Sequence, residues 1–144
     1  MTKILSILYQ GFAIPRRDEM KRHEDRNQMI AAFRKYSRLG LASKRLDPFD
    51  AYDRIRGCCS TRSEARRLLA VYDTVRFLRL TGNKDSLRAV YAIYFSFSPT
   101  TIRANDISRR IVRHAYENSC DERTVYRRLA YAVSVYRKML ADAE

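Results

Sequence analysis

Turn-making residues are scarce in this chain, with four glycines and three prolines among 144 residues. Every hairpin of a β-sandwich or barrel needs a tight turn, and such turns draw on glycine above all. From Arg16 to Leu39 neither glycine nor proline occurs. Period-two alternation is sustained nowhere, whereas apolar residues recur at spacings of three and four. The expected fold is therefore all-α, with about five or six helices.

The punctuation of the chain places those helices. A short apolar helix candidate in the first fifteen residues is closed by Gly11 and Pro15. One long helix follows and stops at Gly40. Its first half is charged, and only Met29, Ile30, Phe33 and Tyr36 give it an apolar face, so it is expected at the edge of the fold or projecting from it. Asp47-Pro48 breaks the chain and starts a short helix to about Arg56, and Gly57 to Ser60 form a joint. Thr61 and Glu64 have capping-box spacing, and the helix they open repeats apolar residues at Ala65, Leu68, Leu69, Tyr72, Val75 and Leu78 before Gly82. The stretch from Lys84 to Phe97 is apolar nearly all round, so it is expected as the central buried helix, ended by Ser98-Pro99.

Asp106 is the expected N-cap of the next helix. Ile107, Ile111 and Ala115 then face inward, with Arg109, Arg113 and Tyr116 outward. Asn118, Ser119 and Cys120 make a brief connection, and Asp121 caps the last helix. There Val125, Leu129, Ala132, Val133, Tyr136 and Leu140 share one face. Arg123, Arg127, Ser134 and Arg137 lie opposite, flanked by Tyr126 and Tyr131. The expected division is an N-terminal helical arm, 1–59, and a helical core with a C-terminal helix-turn-helix, 60–144. The arm brings 13 of the 29 cations and little apolar face, so a fragment from Ser60 onward is expected to fold alone.

A net charge of +13 points to a polyanionic partner, double-stranded DNA first. The cations are 23 arginines and 6 lysines, and arginine offers a planar fork to phosphates and guanine edges. The bland alternative is an arginine-rich, solvated surface. Hydrophobic residues at 46% suffice for a core, which excludes a wholly disordered basic tail. No apolar run approaches the roughly 20 residues that cross a bilayer, and the apolar part of Met1 to Tyr9 is too short for a secretory signal. The expected location is cytoplasmic, without a membrane partner.

Cys58, Cys59 and Cys120 form no disulfide framework, and neither His23 nor His114 stands near the adjacent cysteines. No metal and no cofactor is expected. An enzyme is not expected either. G-x-S-x-G, H-E-x-x-H and a glycine-rich phosphate loop are all missing from the sequence. Asp121 and Glu122 sit where a helix start uses them, Asp47, Asp50 and Asp53 suit capping better than a nuclease cluster, and His114 suits packing.

Two helices joined by a short turn, the second with an outward arginine row, suit a helix-turn-helix that reads the major groove. Arg123 and Arg127 are placed for bidentate contacts to guanine, Thr124 and Tyr126 for phosphate or a thymine methyl. Arg109, Arg113 and Arg137 flank them for phosphate contacts. The alternative for the same pattern is an ordinary antiparallel helix pair with a solvated basic face. The segment from Cys120 to Leu140, with Arg123, Thr124 and Arg127 in an R-T-x-x-R arrangement and the aromatic stretch Arg88 to Phe95 upstream, resembles small phage transcriptional regulators of the RinA and ArpU type. Those are similar to region 4 of sigma-70-type factors. The resemblance covers about residues 64 to 144, and the chain differs in its long first helix and in a turn without glycine. It implies a phage or prophage regulator of promoter or late-operon DNA that touches host RNA polymerase. A homodimer is compatible with it. The rival readings are a phage protein-interaction module that holds a host protein without DNA readout, and an RNA-binding antiterminator.

Overall fold

Three short polar side chains set where helices begin. In a computed structural model, which describes residues 17–43, 45–95 and 104–143, Asp47 accepts from the Asp50 N–H at 2.8 Å. Thr61 accepts from the Glu64 N–H at 3.1 Å, and Asp121 from the Thr124 N–H at 2.7 Å. Each satisfies an amide that the first turn leaves without a partner. The helices are α1 Arg17–Arg38, α2 Pro48–Cys58, α3 Arg62–Leu80, α4 Lys84–Ile93, α5 Ala104–Glu117 and α6 Glu122–Asp142, with a 3₁₀ turn at Leu41–Ser43. The described residues include no strand, so the fold is all-α. The expected short helix in the first fifteen residues and the Ser98-Pro99 stop lie outside the described residues.

Gly40 and Gly82 end α1 and α3 at φ +75, a conformation that costs glycine nothing. After α3, the Gly82 and Asn83 N–H groups close onto the carbonyls of Arg79 and Leu78, at 3.4 and 2.9 Å. This paired closure satisfies carbonyls that the last turn would leave open.

The central helix is α3, which corrects the expectation placed on α4. It packs against α1, α2, α4 and α6. Its buried residues Leu68, Ala70, Val71, Tyr72, Thr74, Val75 and Leu78 cover a broad face. Thr74 enters that face because its hydroxyl donates to the Ala70 carbonyl at 2.6 Å, leaving no orphaned polar group. Helix α4 is instead one-sided. Ser86, Ala89, Val90 and Ile93 are buried, Lys84, Asp85 and Arg88 are exposed, and the helix stops at Ile93 with Tyr94 and Phe95 buried just beyond it.

Helix α1 does not project. Its Met29, Ala32, Phe33 and Tyr36 are buried in the same core as residues of α3 to α6. The Phe33 ring lies 5.3 Å from that of Tyr94, 5.6 Å from Phe95 and 5.4 Å from Tyr136, so it sits at the centre of an aromatic cluster. Ser37 donates to the Phe95 carbonyl, and Lys35 pairs with Glu64 of α3. The link to α2 is tied down by Tyr91, which donates to the Ala42 carbonyl, and by Tyr72, which donates to that of Leu46. Ala51 and Ile55 of α2 close the core. Residues 29 to 55 therefore complete this core, where the sequence suggested an appended arm.

Two local details also differ. Glu64 does not reach back to close a capping box; its carboxylate takes the Ser60 hydroxyl and Lys35 instead. Asp106 is not the N-cap of α5, since the helix begins at Ala104 and places Asp106 in its first turn, where a carboxylate still favours the helix dipole.

Candidate nucleic-acid interface

The connection between α5 and α6 is four residues long, Asn118 to Asp121, and lacks glycine. Ser119 supplies the left-handed step at φ 53. Its N–H closes onto the Tyr116 carbonyl at 3.3 Å, and the Cys120 N–H closes onto that of Ala115 at 3.0 Å. Asp121 then starts α6 at once. Its Oδ1 accepts both the N–H and the hydroxyl of Thr124, each at 2.7 Å. These two donors hold the carboxyl below the usual carboxylate range. Thr124, expected as a DNA contact, thus spends its hydroxyl on the cap.

Neighbouring arginines divide sharply by helix phase. Arg110 donates to the Ile93 carbonyl at 2.8 Å, which fastens α5 to the end of α4. Arg128 lies 3.8 Å from Asp85 and 3.8 Å from the Cys120 sulfur, so it bridges α6, α4 and the turn. Arg109, Arg113, Arg123, Arg127 and Arg137 are all exposed, and none makes an ion pair or hydrogen bond among the described residues. A step of one residue turns a helix by 100°, enough to separate a structural guanidinium from a free one.

The tyrosines divide in the same way. Tyr94 is in the core and Tyr91 is bonded to the Ala42 carbonyl, but Tyr116 is 87% exposed. Tyr126 and Tyr131 are also exposed. Val112, at 51% exposure, stands one turn from Tyr116 and was not singled out by sequence; its phase, 100° from buried Ile111, is the signal that marks it. The outward side of α5 and α6 therefore offers guanidinium forks beside aromatic rings. It can bind phosphates and hydrogen-bond acceptors.

Arg137 stands apart from the rest. Fourteen residues of helix put it about 21 Å along α6 from Arg123, beside Arg26 of α1 and Arg67 of α3. No group of three or more His, Cys, Asp or Glu able to hold a metal exists among the described residues, and none of their helices is long and apolar enough to cross a membrane.

His114 is buried on the inner side of α5, and the Asn118 amide lies 3.1 Å from its Nδ1. Burial lowers its pKa from the ordinary 6.5, and Arg128 lowers it further, against a smaller opposing effect of Glu117. The folded state thus favours the neutral ring, whereas the unfolded chain protonates it near pH 6.5. The stability that His114 contributes is full above that pH and is lost as pH falls through it towards the folded pKa. Urea midpoints are expected to drop between pH 7.5 and pH 5. The drop should be smaller in His114→Gln, and an equal drop in both proteins would exclude this group as the cause.

Compared with known protein families, curated proteins and solved structures, this chain matches none.

Proposed function

We propose that this chain is a sequence-specific DNA-binding transcriptional regulator, phage or prophage encoded and acting in the bacterial cytoplasm. The first half of α6 reads the major groove as the second helix of a helix-turn-helix of the sigma region 4 kind. One observation carries the reading. Five exposed arginines, without an ion pair or hydrogen bond among the described residues, stand on two helices joined by a four-residue turn, in a chain of net charge +13. Arg123 and Arg127, one turn apart at the start of α6, face guanine edges. Arg109, Arg113 and the distant Arg137 face phosphates.

Selection from a random duplex library with the full chain tests the reading directly. Recovery of a common motif supports it, and a pool without enrichment overturns it. Salt adds a second measure. Each neutralised phosphate releases a condensed counterion, so about five contacts give a slope of log K against log salt near −4 to −5. Arg113→Ala is expected to lower that slope by about one unit on selected and scrambled duplexes alike. An unchanged slope would remove Arg113 from the backbone contacts.

One observation favours a second reading. Tyr116 and Val112 are exposed large side chains near Arg113, and tyrosine and arginine are enriched in protein-binding hot spots. They suit a protein partner, host RNA polymerase in the first instance. Tyr116→Ala that loses polymerase binding and keeps duplex binding would assign both roles to one domain. Preference for single-stranded RNA over duplex would instead favour an antiterminator.

A further inference from the structure

We propose that the cleft between α1, α3 and α6 binds a small molecule bearing adjacent phosphates, namely a nucleoside di- or triphosphate. The cleft has a volume of about 500 Å³ and lies along the C-terminal part of α6, away from Arg123 and Arg127. That is the size of a small-ligand site and far too confined for a duplex. Arg26, Arg67 and Arg137 line it from three different helices. None of the three pairs with a carboxylate among the described residues. Like charges from separate helices repel, so their convergence in one hollow favours a bound anion.

The chemistry of the lining narrows the ligand. Every cation there is arginine, whose planar fork matches phosphate oxygens two at a time. Three forks used bidentately offer more N–H donors than one phosphate has oxygens, so a phosphate chain suits them better. Arg66 also lines the cleft, and its Nη2 donates to the Leu140 carbonyl at 3.2 Å, which fixes α3 against α6. The remaining lining is of another kind. Leu140 adds apolar surface, the Asp25 carboxylate repels phosphate and suits amino or hydroxyl hydrogens, and the Gln28 amide both accepts and donates. A nucleoside carries both an apolar ring and such donors. The site shares Arg137 with the proposed duplex face, whereas Arg26 and Arg67 lie outside it, so variants of those two test the cleft apart from the duplex reading.

Calorimetric titration of the full chain at physiological salt, with ATP and with sodium triphosphate, tests the proposal. ATP is expected to bind saturably and more tightly than triphosphate. Arg26→Gln and Arg67→Gln should each weaken it about tenfold, whereas Arg88→Gln, an exposed site on α4, should leave it unchanged. Circular dichroism of each variant should match the parent. Absence of saturable ATP binding, or equal weakening by Arg88→Gln, overturns the site. Triphosphate binding as tight as ATP overturns the nucleoside. If ATP does not bind but the Arg26 and Arg67 variants flatten the salt slope of duplex binding, the cleft is a phosphate-backbone contact and the proposal fails. If ATP binds and no duplex does, the cleft stands and the regulator reading fails.

Discussion

A fragment from Ser60 to Glu144 is expected to be unfolded, although the sequence suggests that it holds a complete domain. Removing α1 and α2 strips five large side chains from the core: Met29, Phe33, Tyr36, Leu41 and Ile55. Burial of five such groups is worth roughly 8–15 kcal/mol. Domains of this size are stable by only about 5–15 kcal/mol in total, so the loss matches the whole margin. The fragment also loses Ser37 from the Phe95 carbonyl and Lys35 from Glu64. In the full chain, Phe33→Ala alone should cost about 3–5 kcal/mol, since three rings pack on it and none can follow it into the gap. Circular dichroism and urea unfolding check both. A fragment with full helicity and a cooperative transition would show that α3 to α6 are self-sufficient.

Local signals were legible because they act within a few residues. Asp47, Thr61 and Asp121 each bond to an amide three positions on, and Gly40 and Gly82 each take the one conformation that other residues avoid. The choice of central helix was not legible in the same way. Apolar count favoured α4, but α3 buries Thr74 by turning its hydroxyl onto its own helix, and Tyr72 by bonding to Leu46. Thr74 looks polar in a pattern and behaves as core in the fold, while Tyr72 fits the apolar repeat and carries a hydroxyl that the Leu46 carbonyl satisfies. Phe33 was underrated for the opposite reason. The charged first half of α1 diluted the signal of a short apolar stripe that meets three aromatic partners from distant parts of the chain.

At the candidate site, helix phase separated inward from outward residues without any structure. Arg109, Arg113, Arg123 and Arg127 are exposed where the 100° rule put them. What phase cannot supply is the partner of a residue at the boundary. Thr124 turned out to belong to the cap of α6, and Arg137 to a cleft whose other walls come from α1 and α3. Those assignments depend on helices more than fifty residues away in sequence, or on a side chain's choice between cap and solvent.

The double variant Arg123→Ala, Arg127→Ala is expected to lose specific duplex binding while keeping its fold. Each bidentate contact to a guanine is worth about 1–3 kcal/mol, or roughly 5- to 150-fold in affinity. The two sites lie on adjacent turns and share a reading surface, so their effects need not add, but the pair should bring selected and scrambled duplexes to near-equal affinity. Thermal midpoints should barely move, because neither exposed guanidinium makes an ion pair or hydrogen bond among the described residues. Arg110→Ala gives the contrast. It leaves the Ile93 carbonyl without its donor and should cost stability, about 1 kcal/mol, while base preference persists. Electrophoretic shift on both duplexes, with melting curves for all proteins, separates the outcomes. If the double variant still prefers the selected duplex by the parent's margin, α6 does not read bases. Its arginine row then serves phosphates or a protein surface, and the exposed Tyr116 and Val112 become the stronger guide to what this face holds.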